Sequence, residues 1–164
     1  MELGQQSACD ATLARVRRGH TVADFTGAFR LLRSSGVKLA VHLIFGLPGE
    51  GLERILDTVR FVADLEPEGV KIHNLHVLEG TELARWYRDG KLTLSTLDEY
   101  ARMAAEFLTA LDPAMIIHRL TGESHGPLML APAWGKDKRR VLAAIEDQLR
   151  SQDTWQGHQQ VAVE

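Results

Sequence analysis

Val37-Lys38-Leu39-Ala40-Val41-His42-Leu43-Ile44-Phe45-Gly46-Leu47-Pro48-Gly49-Glu50 is the stretch that decides the fold. Val37 to Phe45 is nearly all apolar, interrupted only by Lys38 and His42, which predicts a central strand covered on both faces. Alternation puts Ala40, His42 and Ile44 on one face and Val41, Leu43 and Phe45 on the other. Gly46 and Gly49 then leave the backbone open to close approach, and Pro48 stiffens the turn. Taken alone, this turn reads first as a well-built strand-to-helix loop.

The same alternation of element types recurs on either side. Upstream, Glu2 to Ser7 reads as the end of a strand, and Asp10 is placed to cap a short helix through Arg17. Gly19 would terminate that helix and Thr21 would cap the next, in which Val22, Phe25, Ala28, Phe29 and Leu32 recur at helical spacing up to Gly36. Downstream, a helix is predicted from about Leu52 to Leu65, a strand from Val70 to Leu78, and a helix from Glu82 to Arg88. Ser95 would cap a helix from Thr96 to about Leu111, with Glu99 near the capping-box position. Met115 to Arg119 is a short strand, Thr121 to Pro127 a loop, and Lys136 to Arg150 the last amphipathic helix. Trp134 and Trp155 would cover the ends of the core. This order predicts an α/β fold with a parallel sheet and right-handed crossovers.

Composition narrows the function classes. The 164 residues are 45% hydrophobic and 25% charged with a net charge of −3, which is globular and gives no one-sided basic field. No apolar run approaches the ~18 to 20 residues of a membrane span. Cys9 is the single cysteine, so an internal disulfide and a multi-cysteine metal site within the chain are excluded. A cytoplasmic protein without membrane association or a metal site of its own is expected.

Ligands of parallel α/β sheets meet the carboxyl ends of the strands. His42, an imidazole in an apolar strand, is either a satisfied core residue or a ligand contact. His73 and His76, three apart on one strand, would point to opposite faces, so at most one lines a pocket. Arg18 could reach a carboxylate or ribose hydroxyl at the sheet edge, or remain a solvated charge beside Arg15 and Arg17. Arg119 lies at the end of the last strand candidate, and Glu123 with His125 could form an acid-base pair in the loop after it.

The ordered set Glu2-Leu3-Gly4-Gln5-Gln6-Ser7, Asp10, Leu13, Arg18-Gly19-His20-Thr21 and Ile44 to Glu50 resembles the radical S-adenosylmethionine superfamily. It is most similar to the branch of the oxygen-independent coproporphyrinogen oxidases and elongator-type proteins. Val70 to His73, His76 to Leu78, Arg119 to Glu123, Ala131-Pro132 and Asp153 to Gly157 resemble the YhcC-type members. The resemblance implies the C-terminal half of a partial (β/α)6 TIM-like barrel, parallel strands inside and helices outside. It spans residues 1–157, with a family-specific C-terminal extension from about 112 to 157 and a frayed tail over 158–164.

By position, the resemblance implies S-adenosylmethionine contacts at Gln6, Arg18, His42, Ile44 and Gly46, and it leaves His73, His76, Arg119 and Glu123 as substrate-pocket candidates. His42 stands where the coproporphyrinogen oxidases carry an aspartate, and Gln5 replaces an aliphatic residue, which is expected to alter packing only. The implied cofactors are S-adenosylmethionine and a 4Fe–4S cluster, yet the CxxxCxxC cluster loop is not in this chain, and the cluster takes three thiolates. A truncated protein, inactive alone, is therefore expected, from a parent acting on a tRNA base or small metabolite. The other readings are a noncatalytic nucleotide-binding module and a subunit whose barrel is completed by another chain, such as the missing N-terminal half.

Overall fold

The structure, a computed structural model, describes residues 1–122 and 126–161. Along the chain come β1 (Glu2–Gln6), α1 (Asp10–Arg15), α2 (Val22–Ser34), β2 (Ala40–Phe45), α3 (Leu52–Leu65), β3 (Gly69–Asn74), β4 (Val77–Leu78), α4 (Glu82–Arg88), α5 (Leu97–Ala110), β5 (Ile116–Arg119), β6 (Met129–Ala131), α6 (Lys138–Ser151) and α7 (His158–Val161). Four of the strands form one parallel sheet in the order β1-β2-β3-β5. Strands that neighbour in space and run parallel need crossovers, and α2, α3 and α5 supply them.

Alternation along β2 is as expected: Val41, Leu43 and Phe45 are buried while Ala40, His42 and Ile44 are half-buried. The first set joins Val70 and Ile72 of β3 in the main core, which is closed by Phe25 and Phe29 of α2, Ile55, Val59 and Val62 of α3, and Tyr100 to Leu108 of α5. Phe107 meets Phe45 edge-on at 5.4 Å between ring centroids. Complete cover on both faces is therefore a prediction the structure corrects: the face of His42 stays partly open.

Several boundaries move for local reasons. Val37 to Leu39 precede β2, where pairing begins at Ala40 opposite Glu2, and the Leu39 N–H is taken by the Glu68 carboxylate at 2.7 Å. Asp10 is the first residue of α1 and not its cap; it accepts the Val22 N–H at 2.7 Å and so ties the starts of α1 and α2 together. Arg17, at φ 53, takes the left-handed turn assigned to Gly19, and the Arg18 N–H closes it onto the Leu13 carbonyl at 2.9 Å. Thr96, one residue beyond Ser95, caps α5 in a capping box with Glu99, and Asp137 caps α6.

The strand expected over Val70–Leu78 breaks after Asn74. Leu75 and His76 turn the chain, and β4 pairs antiparallel with β6 in a second small sheet. The tail expected to fray from residue 158 is helical at His158–Val161, where Gln159 and Gln160 donate to Thr109 Oγ1 at 2.9 Å and the Ala110 carbonyl at 2.8 Å. Trp134 does pack on the core, its indole N–H donating to the Ser95 carbonyl, whereas Trp155 is 52% exposed and lies against His158. Among the described residues, no helix is long and apolar enough to cross a membrane.

Candidate functional site on the open sheet face

Parallel register sets the layout of the open face: Gly4 pairs with His42, His42 with Lys71, and Ile44 with His73. In β5, Arg119 pairs with Lys71 after a register shift. One stripe across the sheet therefore carries Glu2, His42, Lys71, His73 and Arg119. The Glu2 carboxylate accepts from Lys71 Nζ at 3.1 Å on both oxygens and lies 3.4 Å from His42 Nδ1. Burial raises the Glu2 pKa, but the Lys71 bond and the charges of Lys71, His42 and His73 outweigh it and hold the carboxyl below its usual range.

The two imidazoles of this stripe are close, with ring centroids 4.6 Å apart. His73 Nε2 lies 3.3 Å from an Arg119 guanidinium nitrogen; a guanidinium can only donate, so His73 accepts there and is the neutral ring with its proton on Nδ1. Burial, and then the charges of His42, Arg119, Lys71 and His76, lower the His73 pKa to about 4. Burial also lowers that of His42; the Glu2 carboxylate opposes this, and Lys71, Arg119 and Arg18 reinforce it. With His42 Nδ1 turned to Glu2, Nε2 is buried and has no hydrogen-bond partner. A buried ring nitrogen without a partner is costly, so its position calls for an explanation.

Gln6 and Arg18 converge beside His42. β1 bulges between Gly4 and Gln6, and Gln6 takes φ 70. Arg18 donates to the Gly4 carbonyl at 3.1 Å. A β-carbon at Gly4 would lie 2.5 Å from Gln6 Nε2 and 2.8 Å from an Arg18 nitrogen, so the missing side chain is what lets both polar tips lie over the strand. Gln5, expected to affect packing only, is fully buried and donates to the Ser7 carbonyl at 2.7 Å, holding the end of β1 in its turn.

Ile44 and Gly46 lead off this face at the carboxyl end of β2. Ile44 packs against the second core cluster of Leu47, Leu75, Val77, Ala84, Leu92 and Ala131. Gly46 sits at φ 85, and a β-carbon there would come within 3.3 Å of Ser95 Oγ.

His73 and His76, expected to point to opposite faces, are brought together near Gly122. The break after Asn74 ends the alternation, and both rings approach Gly122, where a β-carbon would meet His76 Cε1 at 2.6 Å and His73 Nδ1 at 3.3 Å. Asn74 fixes that approach, accepting the Gly122 N–H at 3.0 Å and the Thr121 hydroxyl at 3.1 Å. Glu123 and His125 lie outside the described residues. Among the described residues, no cluster of His, Cys, Asp and Glu could hold a metal ion. Sequence reasoning missed Glu2 and Lys71, although the alternation found in β2, carried across to β3, selects Lys71 directly.

A family profile described as the Radical_SAM C-terminal domain matches residues 67–151, just over half of the chain. The chain belongs to that family. Uncharacterized protein YtqA of Bacillus subtilis is 36% identical over 157 residues, which cover 96% of this chain and 49% of YtqA. Protein YhcC of Escherichia coli K12 is 37% identical over 146 residues, 89% of this chain and 47% of YhcC. The chain thus spans about half the length of the curated relatives it matches. Among solved structures, an N-terminally deleted Elp3 of Methanocaldococcus infernus superposes with a TM-score of 0.83 at 24% identity, over 94% of this chain and 36% of that one, which establishes a shared fold.

Proposed function

We propose that the open sheet face holds the adenosine portion of S-adenosylmethionine, and that this chain is the cofactor-holding C-terminal portion of a radical S-adenosylmethionine enzyme. The observation that carries the reading is the buried, unpartnered His42 Nε2 beside the Gln6 and Arg18 tips. The groups suit a nucleoside: His42 Nε2 accepts from a ribose hydroxyl or the adenine amine, Arg18 donates, Gln6 does both, and Ile44 offers apolar contact. When bound in the family's chemistry, S-adenosylmethionine is the source of a 5′-deoxyadenosyl radical that abstracts a substrate hydrogen.

The residues do not fit the iron–sulfur cluster. A cubane needs three thiolates and the 164 residues contain only Cys9, so no step through the cluster is assigned to them. Their part is to bind and orient the cofactor and to keep His42 and His73 neutral beside Lys71 and Arg119. By themselves they bind without cleaving. His73, His76 and Arg119 line the substrate side of the same face.

Calorimetric titration of the chain with S-adenosylmethionine tests this. Binding is expected to weaken by about ten- to a hundredfold in Arg18→Ala, the worth of one charge-assisted hydrogen bond of roughly 1.5–3 kcal/mol, and comparably in His42→Ala. Equal affinity in wild type and both variants would remove the site from this face.

A further inference from the structure

A cavity of about 540 Å³ opens at the carboxyl end of β2, between the Gly46–Leu52 loop and residues Lys91 to Ser95. Its walls do not include His42, His73, Lys71 or Arg119, so it is separate from the polar stripe. The volume suits a small ligand. Leu47, Leu92 and Met103, at 5%, 7% and 7% exposure, give it an apolar floor.

The rim of the cavity is charged, with more cations than acids. Arg15, Lys91 and Arg102 line it against two acids, Glu50 and Glu99. Both acids accept hydrogen bonds, Glu50 from the Ser7 hydroxyl and Glu99 from Thr96 N at 2.8 Å and Oγ1 at 3.0 Å in the cap of α5; those bonds, and less strongly the charge of Arg102, hold the Glu99 carboxyl below its usual range, so it stays ionised. Burial raises the Glu50 pKa, which disfavours its charge. Lys91 pairs with Asp89, but among the described residues neither Arg15 nor Arg102 has a carboxylate within 4.0 Å. The Arg15 guanidinium is held over the loop, 5.9 Å from the Trp86 ring centre and so near Gly49 that a β-carbon there would lie 2.9 Å from it.

We propose that this cavity binds a small organic phosphate monoester, its phosphate held between Arg15 and Arg102 and its apolar portion on Leu47, Leu92 and Met103. Two arginines in no ion pair are the donors best matched to phosphate oxygens, and the apolar floor between them selects against a bare inorganic ion. The two sites share none of the charged residues, although Gly46 borders both.

Phenyl phosphate is the probe, followed in amide NMR spectra of the whole chain with phenol and inorganic phosphate as the comparison arms. Shifts are expected at Gly49 to Leu52 and Leu92 to Ser95, with affinity at least tenfold above both comparison compounds. Arg15→Gln and Arg102→Gln should each weaken binding about tenfold, and His42→Ala should leave it unchanged. The shift map of the unmodified chain locates the site whatever the variants do. Shifts confined to the His42 face, equal binding of phenol or inorganic phosphate, or unchanged affinity in both arginine variants would overturn the proposal.

Discussion

At Gly4 a single methyl group separates binding from stability. An added β-carbon would sit 2.5 Å from Gln6 Nε2 and 2.8 Å from an Arg18 nitrogen, both the far ends of flexible side chains. In Gly4→Ala those tips rotate away, and the 3.1 Å bond from Arg18 to the Gly4 carbonyl is lost. That exposed bond is worth about 1 kcal/mol at most. Restricting the unfolded chain by replacing glycine returns about 0.4–1 kcal/mol. The net change in stability is thus within about 1 kcal/mol, a shift in Tm of no more than about 4 °C for a chain of this length. Affinity for S-adenosylmethionine should nevertheless fall about ten- to a hundredfold, because Arg18 and Gln6 no longer point over the strand. Thermal unfolding by circular dichroism and calorimetric titration measure the two effects on one sample. Unchanged affinity would mean that Arg18 and Gln6 do not contact the ligand. A collapse in Tm would mean that the strand itself, and not the two tips, absorbs the methyl group.

Phe107→Ala removes a fully buried ring packed edge-on against Phe45 and should cost about 3–5 kcal/mol, read as a lower denaturant midpoint in urea. Gly122→Ala pushes a methyl against the His76 and His73 rings, which cannot swing aside as a flexible tip can, and should destabilise by about 1–3 kcal/mol in the same assay. Because the folded pKa of His73, about 4, lies below its usual 6.5, the unfolded chain binds more protons between those values. The stability due to neutral His73 is therefore complete above pH 6.5 and is lost as pH falls towards 4; urea midpoints should decline over that window, and an NMR titration placing the His73 pKa above 6 would refute the assignment.

Much of the scaffold was legible because its signals are local. The spans of α3 and α4 coincide with the expected ones, since Gly51, Glu66-Pro67 and Thr81 punctuate them clearly. The alternation of β2 is as read, because it follows from pleating alone. What was missed depends on partners remote in sequence. The strand-like run from Val70 to Leu78 was read as one element, but it breaks after Asn74, where Asn74 is taken by Thr121 and Gly122 and β4 by β6. Likewise α7 is too short to signal itself and is held by glutamine contacts to the end of α5. In the site, Gln6, Arg18 and His42 were reachable through resemblance. Lys71 was within reach of the alternation along β3, whereas Glu2 required the register between strands and the joint approach of His73 and His76 required the break between β3 and β4.

The central claim, that the open sheet face takes the adenosine portion of S-adenosylmethionine, is tested most directly by mapping amide NMR shifts of the chain on addition of that compound. The account predicts shifts at Gly4, Gln6, His42, Ile44 and Gly46, largest at Gly4, Gln6 and His42, which lie away from the cavity that Gly46 shares with Leu92 and Met103. Shifts absent from the His42 strand, or found only around Leu92 and Met103, would contradict it.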